Sequence, residues 1–256
     1  MITQFRAMAG AGFREALRNR VTLVVVIFTV VLLLSSLLLT EVTVATFDRV
    51  LTDVGLALIV LVLVPLAIFL SGATLGREIE RRTIFLVMSK PISRGLFLLS
   101  RYAGVVLTLL VLLVAMAGVF WLQQAIYGAR LTVAQAQALG LFGVELALLA
   151  ALGFFFSSFA GTLPATFMTA SLYLAGHLSP DLYRSASKSH LLAVKYLGKS
   201  LYYLLPNLDR LNLRPRATYA AVTSMGELLA SGAYGLVYSA LLLFFAVLLF
   251  QRRDFK

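Results

Sequence analysis

The sequence predicts an all-α integral membrane protein with six transmembrane helices. Three observations carry that expectation. Of 256 residues, 61% are hydrophobic and only 13% charged, with a mean hydropathy of +0.94; a soluble domain is nearer half apolar and about a quarter charged. The apolar residues fall in runs that approach or exceed the roughly 20 residues a helix needs to cross a bilayer. The 22 Lys and Arg outnumber the 11 Asp and Glu and gather beside the ends of those runs, where they mark topology and contact with anionic lipid. A soluble enzyme, a disordered region and a secreted disulfide scaffold are excluded. On a soluble chain a net charge of +11 would point to nucleic acid; on this one it does not.

Residues 1–20 form an N-terminal arm. Phe5, Met8, Gly12 and Ala16 share one helical face and Arg14 and Arg18 the opposite one, which predicts an interfacial helix on the inner leaflet. Spans are expected at about 21–40, 54–76, 96–122, 139–159, 163–178 and 228–250, together making one membrane domain over 21–256. The first span continues without a small-residue cleavage site, so it reads as a retained span and not as a signal peptide. Gly72-x-x-x-Gly76 closes the second span and permits close helix approach, within the chain or between subunits. The third begins as a helix ahead of its uninterrupted apolar part, with Ser93 as its cap. Pro164 falls in the first turn of the fifth, where proline is tolerated.

Residues 181–226 form a long connection before the sixth span. Within it, at 100° per residue, Arg184, Lys188, Lys195 and Lys199 fall in a stripe about 60° wide. Tyr183, Ala186, Val194, Leu197, Leu201 and Leu204 cluster on the far side. One amphipathic helix over Leu182–Leu205 is therefore expected on the outer surface, either covering the bundle or contacting lipid or substrate. An even number of spans puts both termini on one side. The arm, the 77–101 loop and the C-terminus carry thirteen basic residues against nine on the other side, seven of those nine within the long connection. The positive-inside rule is counted close to span ends and loses force in so long a segment. Both termini are accordingly expected in the cytoplasm.

Little in the chain supports chemistry. Cysteine is absent, which removes disulfides, thiolate metal sites and a cysteine nucleophile. His177 and His190 are too few for a histidine metal site, and the six methionines are scattered. Gly198-Lys199-Ser200 resembles the end of a phosphate-binding loop, but Ala193 stands where the motif needs its first glycine, and no strand precedes it. No catalytic residue and no metal is assigned. Glu145 is the one clear acid within a span, and an ionisable group there is costly unless paired or hydrated. It reads equally as a functional group and as a hydrogen-bonded helix contact near the outer interface. His177 is its candidate partner.

The most informative stretch runs from Gly76 to Arg94: a span leaving the membrane, a charged run, a short apolar segment over 83–88, and Pro91 before the next helix. A short amphipathic helix flanked by Glu78, Glu80, Arg81, Arg82, Lys90 and Arg94 suits docking in another protein's groove. It equally suits a membrane-hugging loop with positive-inside charges. The run Glu80-Arg-Arg-Thr83 followed by Ser89-Lys-Pro-Ile-Ser-Arg94 resembles the permease subunits of type-2 ABC exporters. More narrowly, it is similar to the branch described as multicopper-enzyme maturation permeases, as is Tyr203-Leu-Leu-Pro-Asn-Leu-Asp209. Ser100-Arg101 departs from the Gly-Lys common in the family and keeps the charge.

The resemblance implies a membrane core of two permease copies above two separate ATPase subunits, which bind the ATP and Mg. The 77–95 loop would be the coupling helix seated in a cleft of the ATPase, with Glu80, Arg82, Thr83, Lys90, Pro91 and Arg94 as coupling residues. Pro206 and Asn207 would shape the external segment beside the exit. Such a complex exports a substrate, or relays force to an extracytoplasmic protein. Two other readings stand beside it: a stand-alone ion-coupled carrier or channel using Glu145, and a membrane scaffold without an ATPase.

Overall fold

The computed structural model describes residues 10, 21–42, 47–80, 93–188 and 192–252, and among them the chain builds helices and no strand. They are α1 (Val21–Val42), α2 (Phe47–Glu80), α3 (Arg94–Ile126), α4 (Val133–Ser157), α5 (Thr162–Ser187), α6 (Leu192–Leu204), a 3-10 turn (Leu208–Leu211), α7 (Arg214–Thr218) and α8 (Met225–Arg252). Four helices are long and apolar enough to cross a membrane: α2 over Phe47–Gly76, α3, α4 and α8. α1 adds a shorter apolar stretch, Leu23–Leu37. Outward-facing Phe69, Val114, Val237 and Phe244 are all more than half exposed. So much bare apolar side chain is stable only against lipid, and the protein is membrane-embedded. The N-terminal arm, with Arg14 and Arg18, and the loop residues Arg82, Thr83, Lys90 and Pro91 lie outside the described residues.

Local sequence explains the helix boundaries. Ser93 Oγ accepts the Leu96 amide at 3.3 Å and starts α3. α3 ends where Gly128 takes φ +69°, with Gly128 N–H bonded to Ala125 O and Ala129 N–H to Gln124 O; these two bonds make a Schellman ending. α4 opens on a reciprocal box between Thr132 and Gln135, well ahead of the apolar run that begins at residue 139. α5 likewise runs past the expected end at 178, carrying Pro180 inside it to Ser187.

The single helix expected over Leu182–Leu205 is two helices. Its first residues are the last turns of α5, and the rest form α6. α6 turns back along α5: Gly198 lies against Ala186 with no room for a side chain, and the Tyr183 and Tyr202 rings stand 4.8 Å apart. The reversal buries Ala186, which a straight helix would leave on a bare face. Arg184, Lys188, Lys195 and Lys199 therefore do not share one continuous helical stripe.

α4 is the hub and packs against α2, α3, α5 and α8. Of its apolar window 78% is buried, against 44% for α2 and α3 and 28% for α8. Its run Leu148–Leu152 is apolar and buried all round, as a central helix must be. Small residues let the neighbours close in. Gly153 faces Ser71 and Gly72 of α2, while Gly72 and Gly76 face Thr166 and Thr162 of α5. The Gly-x-x-x-Gly pair thus packs within the chain. Where α2 begins and α3 ends, buried amides pair: Gln124 and Gln135 both donate to Thr52 Oγ1, at 3.0 and 3.2 Å, and Gln123 donates to Leu32 O at 3.0 Å.

A Gly153→Leu substitution should force α2 and α4 apart, because the new side chain meets Ser71 and the Gly72 backbone. Overpacking of this kind costs about 1–3 kcal/mol. Thermal unfolding in detergent should show a clearly lowered midpoint, and an unchanged midpoint would mean that the contact is slack.

Candidate functional site

Glu145 sits at the midpoint of α4, about 18 Å from either end at 1.5 Å per residue. This is deeper than the apolar run alone implies, because the Thr132–Gln135 box adds turns before residue 139. The residue is 3% exposed. Its Oε1 lies 2.8 Å from Nε2 of His177 on α5. Of the sequence-level candidates, these two are brought together. Tyr173, one turn before His177, sets its ring edge-on to the imidazole at 4.6 Å between centroids. His177 keeps 20% of its side chain exposed, so it is the reachable half of the pair.

The remaining wall comes from an unexpected direction. Between α6 and α8 the chain does not stay outside the bundle; residues 205–218 are wedged among α2, α4, α5 and α8. Pro206, Leu208, Leu211, Leu213 and Ala217 are all buried. A side chain at Gly176 of α5 would meet Pro206 O and Leu208, and one at Gly235 of α8 would meet Val144 and Leu211, so both helices have glycine where this segment presses in. Irregular backbone at such depth is tolerated because protein surrounds it. Asn207 anchors the entrance: its N–H donates to Tyr234 Oη at 2.9 Å and its amide to Tyr202 Oη at 3.3 Å. Its Oδ1 accepts the Arg210 amide at 3.3 Å.

The inserted segment carries Asn212 and Arg214 to the same small cavity as Glu145, Tyr173 and His177, between apolar walls that include Val60 and Phe142. The cavity measures about 10 Å³, at the lower limit for one water molecule. Asn212 Oδ1 accepts from both the backbone N–H and Nε of Arg214, at 3.3 and 3.2 Å, and so sets the guanidinium's direction. Glu145, His177 and Arg214 thus line one cavity. Among the described residues no three His, Asp or Glu side chains converge as a metal site would need. The arrangement can hold, exchange or redistribute a proton, and it supplies no activated nucleophile.

Nearer the surface the segment is closed off by pairs. Arg216 forms a two-point ion pair with Glu227, at 2.8 and 2.9 Å, which raises the Arg216 pKa, chiefly through the hydrogen bond. Gln137 and Thr223 exchange reciprocal bonds of 2.9 Å, and Thr218 donates to Asp53 at 3.2 Å.

The coupling candidates are placed only at their edges. Glu80 ends α2. Arg94 begins α3, and its Nη1 donates to the Gln251 carbonyl near the end of α8 at 3.1 Å, an intramolecular role that the loop pattern did not disclose. Arg214 and Asn212 were also missed; the recurring leucines at 205, 208, 211 and 213 were the available sign that this stretch is buried. The chain matches no protein-family model and no curated protein.

Glu145 and His177 are expected to be energetically coupled. A double-mutant cycle of Glu145→Gln and His177→Gln, read from unfolding free energies, should return about 0.5–3 kcal/mol of interaction; additive losses would mean that the 2.8 Å contact contributes nothing. Asn207→Ala should loosen the inserted segment by about 1 kcal/mol or more, since it removes two side-chain hydrogen bonds. Faster amide exchange over 205–218, with α4 unchanged, is the expected signature.

Proposed function

We propose that the chain is the membrane subunit of a type-2 ABC exporter. In this reading α1, α2, α3, α4, α5 and α8 are its six spans, both termini and the 77–95 loop are cytoplasmic, and residues 181–226 face outward. It sits in the cytoplasmic membrane of a bacterium or archaeon. Two copies pair, and two separate ATPase subunits dock on the loops. The observation that carries this reading is the charged run from Glu80 to Arg94, strung between the two longest helices. α2 has 34 residues and α3 has 33, they pack on each other and on α4, and the hydrogen bond from Arg94 links the loop's exit to the end of α8. A displacement of the loop is therefore delivered to three packed helices at once. Interfaces between well-packed helices are bistable and do not deform continuously, which is the property a coupling element needs.

In this mechanism Glu80, Arg82, Thr83, Lys90 and Pro91 engage the ATPase, while Arg94 also locks α3 to α8. ATP and Mg belong to the partner. The far end of α2 meets the inserted segment through Asp53 and Thr218, so the same rod supports transmission outward, either to a substrate path or to an extracytoplasmic protein. One observation favours a second reading: the buried Glu145–His177 pair is what an ion-coupled carrier would require.

Arg94→Glu would disturb the contact with α8 as well as any docking, so the cleaner test reverses Arg82 and Lys90. Co-purification with the cognate ATPase in mild detergent should succeed for the native chain. Arg82→Glu with Lys90→Glu should weaken it about tenfold or more, as loss of charge complementarity at an interface does, with membrane levels preserved. If no ATPase binds the native chain under any nucleotide condition, the transporter reading is wrong. A flux that survives ATP depletion and is lost in Glu145→Gln would then establish the carrier.

A further inference from the structure

We propose that the cavity between α4, α5 and the inserted segment is a proton-binding site, and that loading it releases the segment. The proposal requires no ATPase, so it stands or falls independently of the transporter reading.

With Glu145 ionised, His177 Nε2 carries the hydrogen directed at Oε1. Nδ1, which has no hydrogen-bond partner among the described residues, is then the position left for a second proton. With the imidazole neutral, the lining carries one carboxylate, Glu145, and one guanidinium, Arg214, which is bonded to Asn212 and not to Glu145. A proton on Nδ1 adds a second cation to the cavity that Arg214 lines, and like charges at close quarters repel. Among the described residues no other charged group lines the cavity. α2 contributes Val60 there, and α5 contributes Tyr173 besides His177. Outside that lining, Tyr102 of α3 donates its hydroxyl to the Ala147 carbonyl at 3.2 Å, and Tyr234 Oη of α8 accepts the Asn207 N–H at 2.9 Å.

The repulsion is relieved if one cation withdraws, and the fold decides which. His177 is fixed in a helix of 26 residues packed along α4. Arg214 stands on a five-residue helix at the end of an irregular segment, held in direction by Asn212. Its hydrogen bond to Asn212 travels with it. When His177 becomes an imidazolium, its ion pair with Glu145 at 2.8 Å is strengthened and Arg214 becomes the surplus charge. The inexpensive response is for residues 205–218 to move toward water with the guanidinium, reversing the insertion that buries Leu208, Leu211 and Ala217.

The chain has no cysteine, so single reporters can be placed without background. Ala217→Cys and Leu213→Cys, at 2% and 7% exposed, report withdrawal of the segment. Ser200→Cys on the exposed face of α6 corrects for thiol ionisation. The full chain in nanodiscs is labelled with a hydrophilic maleimide at steps between about pH 8 and about pH 5. Relative to the Ser200 reporter, labelling at 217 and 213 should rise about tenfold on acidification, an ordinary size for coupling between two sites. His177→Gln should abolish the rise by removing the proton acceptor. Arg214→Gln should abolish it by removing the surplus charge while leaving the pair intact, and this keeps the test decisive should His177→Gln fail to fold. A flat profile in the reporter chains, or a rise that persists in Arg214→Gln, overturns the proposal.

Discussion

Burial of α4 on every side is the constraint from which the remaining architecture follows. A helix with apolar residues around its whole circumference needs partners in every direction, and α2, α3, α5 and α8 supply them. Close approach then dictates glycine where backbones meet, at Gly153 and at Gly72 and Gly76. The same burial makes the acid at its centre expensive. A carboxylate removed from water on all sides has to be paired, and breaking such a pair costs far more than the pair contributes. His177 answers from α5, and the inserted segment brings Arg214, held by Asn212, to the same cavity without an ion pair to Glu145.

Much of the helical layout could be read from the residues, because it rests on local signals. The apolar runs located the long helices, and the hydroxyl of Ser93 marked the start of α3. Where reading failed, the cause was tertiary. The alternation over Leu182–Leu205 is equally consistent with one straight helix and with two that fold back, since both keep the same apolar face. What chooses between them is the contact of Gly198 with Ala186, which periodicity does not encode. The depth of Glu145 was legible in principle: Thr132-x-x-Gln135 is a helix-opening pattern, and it sets the acid at mid-helix. The approach of Arg214 was not legible, because the leucines at 205, 208, 211 and 213 signal burial of the stretch without saying which side chains it carries inward, and a basic residue in a long connection ordinarily faces water.

The two regions of functional interest lie at opposite ends of α2. Glu80 leads into the charged loop, and Asp53 meets the inserted segment. In the transporter reading this makes α2 the connecting rod between an energy source on one side of the membrane and a movable plug on the other. Pro65, within that rod, deletes one rung of its hydrogen-bond ladder and supplies a point where bending is cheap. The polar cluster on α4 lies beside the rod, where a change in its charge and a change in the rod's position would act on the same segment.

The length of two helices has a consequence of its own. At 1.5 Å per residue α2 and α3 each extend about 50 Å, whereas the hydrocarbon of a typical bilayer is about 30 Å thick. The uncharged run of α2 from Val54 to Gly76 extends about 35 Å at that rise, somewhat more than an upright span can use. Such a helix leans, thickens the lipid around it, or does both. Because α2 is interlocked with α4 and α5 through its glycines, it cannot lean alone; the packed core tilts together. Membrane thickness therefore enters as a mechanical variable, setting the angle from which the bundle works and the kind of bilayer in which it is at ease.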